Sequence, residues 1–154
     1  RFMFKLSAKY PTEEQEAEIL IRHGGQEDLT RQLAENINQV TTPEEILSLT
    51  AESGTVRVDE LLVNYINKIV RLTRTWPQFY LGASPRAGIS LMQGARTLAM
   101  FHGRDYAVPD DVIEIALPVL RHRVQLTAEA EVEGQSVDQL LSDLIRTIEV
   151  PRLK

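Results

Sequence analysis

The sequence contains no cysteine, which excludes disulfides, thiolate metal sites and cysteine nucleophiles. It has no uninterrupted apolar run long enough for a membrane span, so none is expected. The common enzyme signatures are missing as well: no G-x-x-x-x-G-K-[ST] loop, G-x-G-x-x-G turn, G-x-S-x-G elbow or H-E-x-x-H pair occurs. Positive charge is in short supply. Seventeen Lys and Arg stand against 22 Asp and Glu, a net charge of −5, whereas a face that binds duplex is basic. Nucleic acid is therefore not an expected partner. The chain opens on Arg1 without a charged-then-apolar leader, and it is expected to be part of a longer protein.

What is present suits a folded domain. The 154 residues fall within the ~100–200 usual for one domain. Hydrophobic residues at 43% and charged residues at 25% argue against wholesale disorder and for a core that needs no staples.

Phe2, Phe4, Leu6, Ala8 and Tyr10 alternate with Met3, Lys5, Ser7 and Lys9, close to the period-2 pattern of a half-buried strand, and Pro11 ends the run. No comparable strand follows. The segment is either the last strand of a sheet lying outside this sequence or an extended arm; the hazard of an unpaired edge favours the first. Helix signals dominate from there. Thr12 with Gln15 predicts a capping box, opening a helix that stops at Gly24-Gly25. Leu29, Leu33, Ile37 and Val40 recur at helix-like intervals, although 37–40 also reads as extended. Thr42, Pro43 and Glu45 predict a second capping box, and its helix ends near Gly54.

Val58, Leu61, Leu62, Tyr65, Ile66, Ile69 and Leu72 form one apolar stripe, with Lys68, Arg71 and Arg74 toward its carbonyl end. Trp76-Pro77 stops that helix, and residues 78–83 read as a loop. Ser84-Pro85 reads as the N-cap and first-turn proline of the next helix, which is rich in small residues and closes at Gly103. Pro109 starts another, with Asp110 and Asp111 at its positive end; Pro118 should kink or break it. Residues 124–135 read mostly as loop. Ser136 with Gln139 predicts a third capping box ahead of the stripe Val137, Leu140, Leu141, Leu144 and Ile148. The expected fold is all-α, a helical bundle over 12–154 behind one strand and a hinge at 1–11.

Few residues suggest chemistry. His23, His102 and His122 lack ligand spacing, and no metal site is expected. Glu13-Glu14 and Asp110-Asp111 sit in first helical turns, where the helix dipole already accounts for them. Gly82-Ala83-Ser84-Pro85-Arg86 is different. It places an arginine in the first turn of a helix, beside free backbone N–H groups, and that combination receives phosphate oxygens well.

The run from Gly82 to Val112, followed by Leu120-Arg121-His122-Arg123, resembles the C-terminal lid of the MoxR family of AAA+ ATPases. The matching motifs are Gly82–Ala87, Gly103-Arg104-Asp105-Tyr106, Pro109-Asp110-Asp111-Val112 and Leu120–Arg123. The opening RFMFKLSAKYP resembles the family's last core strand, and Glu133-Gly134 and Val150-Pro151-Arg152 match its end. The magnesium-chelatase ATPase subunit shares a shorter version of the pattern. The resemblance implies an α/β core outside these residues that holds ATP and Mg²⁺ through its P-loop lysine and Walker-B acids. It assigns Arg86 as the sensor-2 arginine, acting in its own subunit or across an interface, with Gly82, Ala83, Ser84 and Pro85 shaping the nucleotide-facing loop. It makes Arg1 a candidate arginine finger, and Tyr10-Pro11 a hinge, an adenine-side wall or an ordinary strand end.

Gly103–Tyr106 reads as helix stop plus turn, with Tyr106 and Val108 packing inward. Arg121-His122-Arg123 is either solvated or in contact with a neighbouring subunit. The implied whole is a cytoplasmic, ring-forming, hexameric ATPase with chaperone-like work, partnered by its own core and by proteins with a von Willebrand factor A-type domain. These residues alone are expected to be inactive. The competing expectation is a free-standing helical interaction module with no nucleotide role.

Overall fold

The computed structural model describes residues 2–24 and 37–152. Contacts divide the chain into two units, Ser7–Leu47 and Arg1–Leu6 joined with Ser48–Lys154. The first unit contains helix α1 (Glu13–His23), opened by the expected capping box: Gln15 N–H donates to Thr12 Oγ1 and Thr12 N–H donates to Gln15 Oε1. No residue of α1 is buried. The stretch 29–36 of the next apolar pattern lies outside the described residues, and 37–42 is neither helix nor strand. Helix α2 (Pro43–Thr55) starts at the second capping box, where Thr42 N–H donates to Glu45 Oε2 and Glu45 N–H to Thr42 Oγ1.

The core belongs to the second unit. Helix α3 (Glu60–Leu72) is capped by Asp59, whose carboxylate accepts the Leu61 N–H at 2.7 Å. Its stripe buries Leu62, Tyr65, Ile66, Ile69 and Val70, while Leu61 stays exposed. Strand β1 (Phe79–Leu81) leads to α4 (Pro85–Phe101), then come α5 (Pro109–Leu120), β2 (Gln125–Leu126), α6 (Ala128–Val132) and α7 (Val137–Arg146). Helix α4 packs chiefly on α5 and α3. Its small residues allow this: a Cβ on Gly94 would meet the Ile115 Cδ1 of α5 at 2.5 Å and the Phe4 ring at 3.5 Å. Leu91, Ala95 and Ala99 meet Val112, Ala116 and Val119 in the same fully buried cluster, which α7 closes with Leu141 and Leu144.

The all-α expectation holds with four corrections. Strands β1 and β2 pair antiparallel, Phe79 with Leu126 and Leu81 with Gln125, so residues 78–83 and 124–135 are not simple loops. Residues 128–132 are helical because the Thr127 hydroxyl accepts the Ala130 N–H and Gly134, at φ +70°, ends the turn. Pro118 does not break α5, which continues to Leu120. Ser136 occupies its N-cap position without a side-chain cap bond, and the Gln139 amide donates to Asp143 Oδ1.

No ladder includes residues 2–12 among the described residues. Lys5 N–H instead donates to the Pro118 carbonyl at 2.8 Å, on the main-chain oxygen that precedes the end of α5.

The helix stop at Gly103 is a Schellman motif. Arg104 N–H bonds the Ala99 carbonyl and Gly103 N–H bonds the Met100 carbonyl, each at 2.9 Å, with Gly103 at φ +69°. Tyr106 is exposed, contrary to the inward packing expected, and Ala107 is buried in its place. The two acids of the Pro109 turn also separate. Asp110 is exposed, whereas the Asp111 side chain is 2% exposed and accepts two bonds from Arg104, at 2.6 and 2.9 Å, and one from Val108 N–H at 2.8 Å.

Burial, the largest single influence on Asp111, pushes its pKa up. The Arg104 and Val108 hydrogen bonds and the charges of Arg104 and His102 outweigh it, and the carboxyl sits below its ordinary value. A depressed folded pKa contributes stability that is complete above the unfolded value, about 3.9, and is lost as pH falls through the lower folded value. Asp111→Ala is expected to cost about 3–5 kcal/mol near neutral pH and to flatten the acid limb of the stability curve below about pH 4. Urea unfolding at stepped pH measures both.

Candidate functional site

The loop 82–86 is held by the end of α3. Thr73, fully buried, caps that helix; its hydroxyl donates to the Val70 carbonyl at 2.7 Å and accepts the Ala83 N–H at 2.9 Å. The next residue completes the grip, with Arg74 Nε donating to the Ala83 carbonyl at 2.8 Å. Both polar groups of the buried Ala83 are thereby satisfied by consecutive side chains, as burial of a peptide group requires. The approach is so close that a Cβ on Gly82 would lie 2.6 Å from the Arg74 backbone N and Cα. From the other side the loop is entered through β1, tied to β2, and the Thr127 N–H bonds the Gln78 carbonyl at 2.9 Å.

Held in this way, the chain enters α4 with Ser84 extended at N-cap (φ −78°, ψ 166°) and Pro85 at the first helical position. The Ser84 hydroxyl makes no cap bond; its carbonyl accepts the Ala87 N–H at 2.9 Å. Arg86 follows in the first turn. It is exposed, and among the described residues its guanidinium has neither hydrogen bond nor ion pair. A mainly apolar depression of about 350 Å³ runs beside Pro85 between α3 and α4, lined in part by Ile66, Val70, Arg71, Arg74, Gly88 and Met92.

The other sequence candidates are distributed as follows. Gly82, Ala83, Ser84, Pro85 and Arg86 form one short stretch of backbone. Tyr10 and Pro11 belong to the other unit, where Tyr10 is 94% exposed and Pro11 lines a shallow depression with Gln15, Ile19 and His23. Arg1 lies outside the described residues. No group of three or more His, Asp or Glu able to hold a metal ion occurs among the described residues. His102 instead contacts Arg104, with Nδ1 at 3.1 Å from Nη2.

Thr73 and Arg74 escaped sequence reasoning because the bond they make is tertiary; only the polar pair closing an apolar stripe hinted at it. Arg121-His122-Arg123 is not simply solvated, since all three side chains reach main-chain oxygens of residues 2–5.

Gly82→Ala is expected to lower stability by about 1–3 kcal/mol through this forced overpacking. Gly54→Ala, in a helix with open space around the site, is expected to be neutral or to gain up to about 1 kcal/mol. Parallel denaturant unfolding of the two variants separates the effects.

Comparison with known proteins places this geometry. The AAA lid domain family matches residues 71–144. The chain is 34% identical over 151 residues to the uncharacterized protein YeaC of Bacillus subtilis (strain 168), covering 98% of this chain and 46% of that protein. It is 34% identical over 164 residues to chaperone MoxR1 of Mycobacterium tuberculosis, covering 99% of this chain and 41% of that one. The crystal structure of a "putative ATPase" from Cytophaga hutchinsonii superposes with a TM-score of 0.82 at 30% identity, over 99% of this chain and 47% of that chain. The chain thus spans less than half the length of these relatives. The lid match, the near full-length similarity and the shared fold agree with the Gly82–Arg86 and Leu120–Arg123 motifs: the chain carries an AAA lid domain and is similar over nearly its whole length to a MoxR-type chaperone.

Proposed function

We propose that Arg86 is the sensor-2 arginine of a MoxR-type ATPase and contacts the terminal phosphate of ATP bound by a core outside this sequence. The observation that carries the reading is an exposed, unpartnered guanidinium in the first turn of a helix whose entry loop is fixed on both sides. A bidentate fork at a helix start suits an anion with several oxygens. ATP would supply the phosphoryl group that water attacks. This chain contributes charge stabilisation and geometry only, since the sequence holds no P-loop lysine and the described residues offer no carboxylate cluster for Mg²⁺.

On this reading residues 1–11 form the last core strand and hinge, with 12–154 as the lid. The alternating segment 2–10 finds its ladder in the core, Tyr10-Pro11 lies at the hinge beside the nucleotide, and Arg1 serves a neighbouring subunit as arginine finger. The assembly is a hexameric ring in the cytoplasm. It remodels protein complexes in a chaperone-like way, with von Willebrand factor A-type partners. Chaperone MoxR1, by its name, supports the chaperone assignment.

In the full-length protein, Arg86→Ala is expected to fold normally and to lower ATPase turnover by about 10²–10³-fold, the usual worth of one preorganised donor. Steady-state kinetics with a thermal-unfolding control tests this. Unchanged turnover would remove Arg86 from the mechanism and favour an interaction module with no nucleotide role. The isolated 154-residue chain is expected neither to hydrolyse ATP nor to bind it tightly.

A further inference from the structure

The corner that follows α5 is built around the backbone oxygens of the first residues. Arg123 Nη2 donates to the Phe2 carbonyl at 2.9 Å, to the Met3 carbonyl at 3.4 Å and to Ser90 Oγ at 3.1 Å. His122 Nε2 lies 3.1 Å from the same Phe2 oxygen, and because a carbonyl only accepts, that nitrogen carries the proton. Arg121 Nη1 reaches the Lys5 carbonyl at 3.3 Å, while its other terminal nitrogen pairs with Asp138 at 3.0 Å.

Ser90 is the pivotal atom group. It is 9% exposed, and its hydroxyl donates to the Arg86 carbonyl at 3.1 Å. With its proton committed to Arg86, the same oxygen is left to accept from Arg123. A continuous hydrogen-bonded path therefore runs from the Phe2 and Met3 carbonyls through Arg123 and Ser90 to the main chain of Arg86.

The guanidinium at the centre of this path is an odd choice for stability alone. Among the described residues no carboxylate pairs with Arg123, which is held by carbonyls and one hydroxyl, and burial pulls its pKa down. Taking a cation partly out of water without a counter-charge is unfavourable. Such an arrangement suits a geometric task, and linked hydrogen bonds of this kind strengthen one another.

We infer that Arg123 is a positioning residue for Arg86: through the Ser90 hydroxyl it fixes the first turn of α4 to the opening segment of the chain, so that the backbone from which the Arg86 side chain extends is held in one place. The inference rests on the reading that Arg86 meets the terminal phosphate. It adds a fixed link between that contact and residues 2–3, the segment proposed to enter the core.

The test is a mutant cycle in the full-length ATPase with Arg86→Ala, Ser90→Ala and their double variant, together with Arg123→Gln and Arg123→Lys. Ser90→Ala removes one oxygen and leaves the helix pattern intact. It is expected to lower kcat by about ten- to a hundredfold, the scale of a small misplacement, with KM for ATP nearly unchanged and the unfolding temperature retained. Arg123→Gln should do the same and Arg123→Lys should recover part of the loss. In the Arg86→Ala background the Ser90 substitution should have almost no further effect.

Equal loss from Ser90→Ala with and without Arg86 overturns the positioning role while leaving Arg86 in the mechanism. Full activity of a normally stable Ser90→Ala protein overturns it as well. If Arg86→Ala alone is fully active, the phosphate reading itself fails, and the cycle reports that separately.

Discussion

The structure around the site depends on one peptide unit being gripped at both ends. Thr73 takes the amide of Ala83 and Arg74 takes its carbonyl, inside a contact so close that only glycine fits at position 82. Releasing either bond would strand a buried polar group at a cost of about 1–3 kcal/mol. The loop therefore has one position relative to α3, and the direction in which α4 leaves it is set before any packing on α5 begins. The first turn of α4 inherits that direction, and with it the line along which Arg86 points its charge away from the core.

A second tie acts through the residues that follow α5. The residues after α5 do not fray into solvent; they turn back and hold the opening segment by its main-chain oxygens. The lid is thus a body with two fixed connections near Arg86, one local through Thr73 and Arg74 and one through the chain's opening. No group of three or more carboxylates or histidines able to hold a metal ion occurs among the described residues.

Much of the helical order was legible because its signals are local. The boxes at Thr12 and Thr42 need only residues three apart, and both form as read. Asp59 was overlooked as a cap although it stands directly before the apolar stripe. The box at Ser136 does not form, and the Gln139 amide is found on Asp143 one turn ahead. Strands of two and three residues left no pattern to read, since their pairing is decided by a partner distant in the chain. Pro118 misled because a proline removes one hydrogen bond without obliging the helix to stop, and here the last turn closes beyond it, with Arg121 N–H on the Leu117 carbonyl. At the candidate site, the sequence singled out the loop 82–86 and the exposed arginine that follows it. The contacts of Thr73 and Arg74 with Ala83, and of Arg123 with Ser90 and Phe2, are tertiary, and no spacing rule reveals them. Asp110 and Asp111 looked equivalent; burial and one arginine make them different.

The collar at residues 121–123 addresses carbonyl oxygens, and every amino acid carries one of those. Substitutions at Phe2, Met3 or Lys5 can therefore accumulate over evolution without loosening the grip, provided the main chain keeps its path. Phe4 is the exception, because its ring rests on the space left by Gly94. Drift at the chain's opening should be free at three of these four positions and coupled at the fourth to the glycine of α4, a covariation that an alignment of relatives would expose as a pair.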